Sequence, residues 1–197
     1  MVAKKNTQMV ILASRSPRRV ELLKQVGIDC IVLPSDIDES IRPDESPTAY
    51  VKRLAHEKVL VTAKSMKREY SHLCVIAADT TVSIQQEILG KPETDAEAFE
   101  MLKKLSGKTH EVHTAVAVSF RGNVKVMLST TKVQMMRMTA EMIHAYIASG
   151  EHRDKAGAYG IQGRAAIWIK HIEGSYSGVM GLPLFETVQL INKIAAK

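Results

Sequence analysis

The stretch Met9-Val-Ile-Leu-Ala-Ser-Arg-Ser-Pro-Arg-Arg-Val-Glu-Leu-Leu-Lys-Gln-Val-Gly27 changes its hydrophobic period within a few residues. The apolar run Met9 to Ala13 has the length of a buried strand. Ser14-Arg15-Ser16 makes a tight loop, with Ser16 placed to cap a helix and Pro17 to occupy its first turn. Leu22, Leu23 and Val26 then recur on one helical face directed inward, and Gly27 stops the helix. Cys30-Ile-Val-Leu33 reads as the next strand. Strand, loop, helix and strand in close succession are the grammar of an α/β sheet.

Reading onward, Ser46-Pro47 opens a helix running to about Met66, and Leu73 to Ala78 is an apolar strand that Asp79 breaks. Thr94-Asp-Ala-Glu97 is a capping box for a helix ending at Ser106-Gly107. Val112, Thr114, Val116, Val118 and Phe120 alternate with smaller or polar residues, turn at Arg121-Gly-Asn123 and return through Val124 to Met136 as a long antiparallel hairpin. A helix from Glu141 to Ser149, a glycine-rich stretch, a strand from Ala165 to Ile172 and a last helix from Pro183 complete the chain. The expected fold is one α/β domain over residues 1–197, a mixed central sheet flanked by helices.

The chain has 197 residues, 45% hydrophobic and 24% charged, which excludes a disordered or fibrous chain and suits one domain with a real core. No apolar run reaches the roughly 18 residues of a membrane span, and the N-terminus MVAKKNTQ leads into a strand instead of a signal segment, so a cytoplasmic protein is expected. Lys plus Arg exceed Asp plus Glu by 27 − 21 = +6, which calls for an anionic partner. Aromatics are only 5% and no basic run resembles an arm, so a small phosphorylated molecule is favoured over nucleic acid. Cys30 and Cys74 both lie in strand-like apolar segments and read as buried thiols.

Several familiar patterns fail. Gly107-Lys108-Thr109 lacks the earlier glycine of a P-loop, Leu102 standing in its place. Gly157, Gly160 and Gly163 recur every three residues without the close Gly-x-Gly pair of a dinucleotide fingerprint. Gly174-Ser-Tyr-Ser-Gly178 centres on tyrosine, so it is no nucleophile elbow. His110 and His113 have a strand spacing that puts them on opposite faces, against a shared zinc.

The chemistry gathers elsewhere. Ser14, Arg15, Ser16, Arg18 and Arg19 surround a helix N-terminus, where amides, dipole and guanidinium groups all favour phosphate oxygens. Lys58 shares a helical face with Val51, Leu54, Ala55 and Thr62, so its ammonium either meets an anion inside or snorkels out. Asp79 at the end of a buried strand is a metal ligand, a base or the cap of a turn. Asp36, Asp38 and Glu39 offer further hard oxygens for Mg²⁺ or Mn²⁺, and Lys91 sits in a rigid turn between Gly90 and Pro92. Cations with a few carboxylates at strand ends describe a triphosphate site with a divalent metal better than a duplex-binding face.

The same residues carry a resemblance. Leu12-Ala-Ser-Arg-Ser-Pro-Arg-Arg-Val-Glu-Leu-Leu23, Ala78-Asp-Thr80, Gly90-Lys-Pro92, Asp154-Lys-Ala-Gly-Ala-Tyr-Gly-Ile-Gln-Gly163 and Ile172-Glu-Gly-Ser-Tyr-Ser-Gly-Val-Met-Gly-Leu-Pro-Leu184 resemble, in order and over nearly the whole chain, the Maf family of nucleoside triphosphate pyrophosphatases, named for inhibition of septum formation. The resemblance implies a fold related to the inosine triphosphate pyrophosphatases, with two lobes around a cleft, and often a homodimer. It implies hydrolysis of a nucleoside triphosphate to monophosphate and pyrophosphate with a divalent metal, and Ala158-Tyr-Gly-Ile-Gln162 looks like the branch preferring dTTP and UTP. By the same resemblance Asp79 falls on the proton acceptor, and Ser14, Arg18, Arg19, Glu39, Lys58 and Lys91 on phosphate and metal positions. Arg18, Thr80 and Gln162 fall on specificity positions, Gln162 reading the O4 and N3 edge of the base. The rival class is a binder that inhibits septum formation through nucleotide or nucleic acid without turnover.

Overall fold

The computed structural model describes residues 8–195, so the reading of the N-terminus before Gln8 lies outside the described residues. In chain order the strands are β1 (Gln8–Leu12), β2 (Ile28–Val32), β3 (Cys74–Ile84), β4 (Glu87–Leu89), β5 (Thr109–Phe120), β6 (Asn123–Met135) and β7 (Ile169–Glu173). The α-helices are α1 (Pro17–Gln25), α2 (Pro47–Ser65), α3 (Asp95–Leu105), α4 (Ala140–Ala148), α5 (Tyr176–Met180) and α6 (Leu184–Ala195). The strands form one mixed sheet in the order β2-β1-β3-β5-β6-β7, with β4 added to β3. β1 pairs parallel to β2 and β3, and the remaining pairs are antiparallel.

Both faces of the sheet are covered, which is why β1 has no polar side: Val10, Ile11 and Leu12 are fully buried. On one face Val51, Ala55 and Val59 of α2 pack on Ile11, Val75, Ala77, Ala115 and Ala117. On the other, Leu22 and Leu23 of α1 and Leu190, Ile191 and Ile194 of α6 pack on Val10, Leu12, Ile76, Val116 and Val118. Farther along that second face Val82, Val112 and Val133 build a separate core with Leu102, Leu105, Ile143, Tyr146 and Trp168. Between the two cores Thr80 and Thr114 face each other across the ladder, so the sheet turns polar where the two lobes meet.

β3 also loses a neighbour at that point. Its pairing with β1 ends at Leu12↔Ile76, and its pairing with β4 begins only at Val82↔Leu89. Ala77 to Thr81 therefore keep one free edge, and through it Asp79 and Thr80, on opposite faces, reach the same space.

Several expectations change. Asp79 does not end its strand: β3 runs on to Ile84, with Asp79 buried at 7% exposure. A carboxylate reads as a breaker in a sequence, but here a buried cation answers it. β4 was not expected, because the turn before it is Gln85-Gln86, both at positive φ, without the Asn-Gly signal such turns prefer. Val26 is the C-cap residue of α1 and is 41% exposed, leaving Leu22 and Leu23 as the inward pair. Residues Ala165 to Trp168 belong to a 3₁₀ turn and only Ile169 starts the strand. β5 is buried on both faces instead of alternating, as α2 and α6 cover it from opposite sides. Ser16 is the N-cap of α1 by position, but its side chain makes no capping bond. Cys74 is buried and Cys30 half-buried, both as free thiols. Both stand in register with Val10 on opposite sides of β1, two strand spacings or roughly 10 Å apart, too far for a disulfide. Among the described residues no helix is long and apolar enough to cross a membrane.

Candidate active site

The polar seam between the cores opens into a cavity of about 450 Å³, a size suited to a small molecule. It is lined by Arg18, Arg19, Glu39, Lys58, Asp79, Thr80, Lys91 and Gln162, and Ser14 lines its continuation along the loop before α1. The nine residues that the resemblance placed on phosphate, metal, proton-accepting and specificity positions thus line one connected space.

Arg19 fixes the floor. Its Nε donates to the Gly181 carbonyl at 2.7 Å, its Nη1 to Ser14 Oγ at 2.9 Å, and its Nη2 lies 3.5 Å from Thr80 Oγ1. Ser14 Oγ also accepts the Ser16 N–H at 3.2 Å, so the loop bends back on itself at the start of α1. Thr114 Oγ1 continues the line, 3.0 Å from Thr80 Oγ1 and donating to the Gly178 carbonyl at 2.8 Å. Burial lowers the pKa of Arg19, with the nearby Asp79 charge opposing the shift. The first turn of α1 holds no acidic residue, so its amides and Arg18 are left to an external anion.

The carboxylates stand around Lys58. Its Nζ lies 2.5 Å from Asp79 Oδ1 and 2.8 Å from Glu39 Oε1, so the lysine faces inward with only 8% exposure instead of snorkelling. Burial raises the pKa of Asp79, opposed by Lys58 and then Arg19. Burial also pushes Glu39 upward, but the hydrogen bond and charge of Lys58, with Lys91 and Arg19, outweigh it and hold Glu39 below its ordinary value. One carboxyl is thereby displaced towards the protonated form and its neighbour kept ionised, the separation that acid–base chemistry uses.

Glu39 is held by α2. Tyr50 donates its hydroxyl to the Glu39 carbonyl at 2.8 Å, and Arg53 donates to the Ser40 carbonyl at 2.9 Å while its Nε and Nη2 grip Glu45 at 2.6 and 2.8 Å. Asp36 and Asp38 are not beside it: Asp36 pairs with Arg15 at the surface at 2.9 Å, and Asp38 accepts the Ser40 N–H of its own loop at 2.9 Å. Short acidic side chains in a loop tend to satisfy local backbone first.

Glu39 and Asp79 stand together on Lys58 as a pair of carboxylates that could hold a metal, and no group of three or more His, Cys, Asp or Glu among the described residues is placed to hold one. That donor set is wrong for a closed zinc or calcium cage and right for Mg²⁺ or Mn²⁺, which bind one or two carboxylates and take other oxygens from phosphate.

The far wall is the loop 151–163, in which the sequence singled out the glycines and Gln162 but not Tyr159 or Lys155 as individual site residues. Tyr159 lines the cavity, and its hydroxyl lies 2.8 Å from Nε2 of the buried His110. Burial lowers His110 to about 4. His113 lies on the other face of β5, 2.9 Å from Ser83 Oγ and 3.0 Å from Thr130 Oγ1, so the two histidines share nothing. Glu151 accepts the Arg164 N–H at 2.8 Å and closes the loop behind Gln162.

The family model described as Maf-like protein matches residues 9–194. A dTTP/UTP pyrophosphatase of Methylobacillus flagellatus is 53% identical over 186 residues, 94% of this chain and 92% of that one. A dTTP/UTP pyrophosphatase of Nitrosomonas europaea is 50% identical over 193 residues, 93% of each chain. A nucleoside triphosphate pyrophosphatase of Haemophilus ducreyi is 46% identical over 184 residues, again 93% of each. Among solved structures, the Staphylococcus aureus Ham1 protein matches with a TM-score of 0.43 and 15% identity over 65% of this chain and 72% of that one. Matched along β1 to α6 by the family model and over nine-tenths of its length by these relatives, the chain belongs to the Maf family.

Proposed function

We propose that this protein hydrolyses pyrimidine nucleoside triphosphates, dTTP and UTP among them, to the nucleoside monophosphate and pyrophosphate, a reaction suited to removing unwanted nucleotides. The observation that carries the reading is the Glu39–Lys58–Asp79 cluster, which opens into the same cavity as the cations Arg18, Arg19 and Lys91. The names of the relatives, dTTP/UTP pyrophosphatase and nucleoside triphosphate pyrophosphatase, support the same activity.

Water adds to phosphorus slowly because the oxygens repel it and pyrophosphate leaves as a polyanion. Arg18, Arg19 and Lys91, with the amides at the start of α1, neutralise the phosphate chain from the side of Ser14. Asp79 takes the proton from the attacking water: one oxygen is fixed by Lys58, and the raised pKa makes the carboxylate a better base than an ordinary aspartate. Lys58 keeps the two carboxylates together until substrate arrives. Glu39 and Asp79 would hold a divalent cation, which would supply further neutralisation of the phosphate oxygens. Gln162, with one donor and one acceptor on its amide, reads the pyrimidine edge, and Thr80 and Arg18, the other two specificity candidates, line the same cavity.

A homodimer in the cytoplasm completes this reading, and sedimentation of the purified chain measures the first part. The deciding experiment incubates the protein with dTTP, UTP, dATP and dGTP with and without Mg²⁺ or Mn²⁺ and measures monophosphate and pyrophosphate. Metal-dependent release from the pyrimidine substrates is the expected result. Binding without turnover would instead assign the non-catalytic class, and retention on DNA with a steep salt dependence would assign nucleic acid.

A further inference from the structure

The three evenly spaced glycines of the far wall each make room for a different neighbour. Gly157, at φ +67, lies where a Cβ would touch the Val82 side chain at 3.0 Å. Gly163 lies against the Glu151 carboxylate with no space for a side chain. Gly160 has no left-handed backbone to explain it, yet a Cβ there would stand 2.8 Å from Lys155 Cε and 3.0 Å from Cδ. Its missing side chain is the seat of the Lys155 stem.

Lys155 lines the cavity and its continuation, as Arg18, Arg19 and Lys91 do. Its Nζ donates only to the Arg153 carbonyl, at 3.4 Å, and among the described residues no carboxylate comes within ion-pairing reach. The backbone on either side is bent for the purpose: Asp154 and Ala158 stand in the left-handed region at φ 57 and 61. Burial lowers the Lys155 pKa and Arg18 lowers it further, against the weaker opposing charges of Glu151 and Asp154, so cations from the two lobes converge on one space where, among the described residues, Lys155 is held by no ion pair. Long side chains normally avoid that arrangement unless a polyanion joins them.

We propose that Lys155 is a further substrate-binding residue, taking the phosphate chain of the nucleotide from the wall opposite α1, with Gly160 as the seat that aims it. The proposal rests on the nucleotide reading above and adds a second wall to the anion site. Closing the phosphate chain between the lobes ties Gln162, seven residues on, to the end of the cavity where the base lies.

Inorganic pyrophosphate, titrated into the protein by calorimetry with Mg²⁺ present, is the probe. Lys155→Met is expected to weaken pyrophosphate about ten-fold or more, the scale of one charge-assisted hydrogen bond. Lys155→Arg should retain most of the affinity, and Gly160→Ala should weaken it as Lys155→Met does, with Tm unchanged in the two lysine variants. Gln162→Ala should bind pyrophosphate as the wild type does. Unaltered affinity in Lys155→Met, or a loss that Lys155→Arg does not restore, overturns the proposal even if Gly160→Ala fails to fold. Wild-type protein that neither binds pyrophosphate nor releases it from dTTP overturns the nucleotide reading as well, whereas wild-type turnover with Lys155→Met unaffected overturns Lys155 alone.

Discussion

Lys58 Nζ and Asp79 Oδ1 lie 2.5 Å apart, although one residue belongs to α2 and the other to the middle of β3. The ammonium opposes the burial that raises the Asp79 pKa, so removing it lets the carboxyl rise further. Lys58→Met should therefore move the acid limb of the kcat/KM profile to higher pH, with activity partly recovering as the solution is made more alkaline. An acid limb that stays in place, or moves down, would show that Asp79 is not the group being titrated.

Asp79→Asn keeps the shape of the side chain and loses its basicity. kcat for dTTP should fall by about 10²- to 10⁴-fold, the usual contribution of a positioned base. Binding of a non-hydrolysable dTTP analogue should persist. Turnover within a few-fold of wild type would remove Asp79 from the chemistry.

Lys91 and Lys58 separate a purely catalytic cation from one that also holds the fold. Lys91 is in no ion pair among the described residues, so Lys91→Ala should slow turnover while Tm stays close to wild type. Lys58→Ala strips two carboxylates of their partner and should lose turnover together with about 3–5 kcal/mol of stability, as broken buried pairs do. Parallel thermal melts and initial rates distinguish the two.

Gln162→Ala should change a ratio more than a rate. Losing one donor and one acceptor at the pyrimidine edge costs about 1–3 kcal/mol in kcat/KM for dTTP and UTP. A purine triphosphate, which never used those bonds, should change little. Equal losses on both classes would make Gln162 a support of the loop, not a reader of the base.

His110 gives the fold an acid weakness. Its folded pKa is lowered from 6.5 to about 4 by burial, so between those values the unfolded chain binds a proton that the native chain refuses. Stability from this residue is complete above pH 6.5 and declines as pH falls towards 4. The span of that decline is ~3 kcal/mol. Urea melts at pH 7.5 and 5 should differ in the wild type and differ less in His110→Gln, which retains a group to meet the Tyr159 hydroxyl; the remainder belongs to groups such as His113, which burial also lowers.

The placement of a site residue was legible in the sequence where its neighbours in the chain set it. Ser14 to Arg19 follow a strand and open a helix, and that alone gathers their donors around the helix N-terminus. For Lys58 the face shared with Val51, Leu54, Ala55 and Thr62 left two outcomes open, inward or snorkelling, and only the carboxylates brought to it by the fold decide for the first. What stayed hidden depends on where strands stop relative to one another. Nothing near Asp79 announces that β1 ends at Leu12 or that β4 starts pairing at Val82, and so the free edge that exposes Asp79 could not be read. Lys155 was hidden for a different reason: its signal is an absence, the missing Cβ of Gly160, which means something only once the lysine stem is seen lying there.

Arg19 touches Ser14 near the start of the chain, Thr80 in its middle and the Gly181 carbonyl near its end. During synthesis the guanidinium emerges from the ribosome long before Gly181 exists, and until then its Nε has nothing to orient it. A nascent chain that has already paired β1 with β3 thus holds the acidic cluster without a fixed floor beneath it. A message truncated before α5 would lose at one stroke the carbonyl that orients Arg19 and the α6 side chains that cover Leu12, Ile76 and Val116, so the floor of the site and one face of the sheet are completed together.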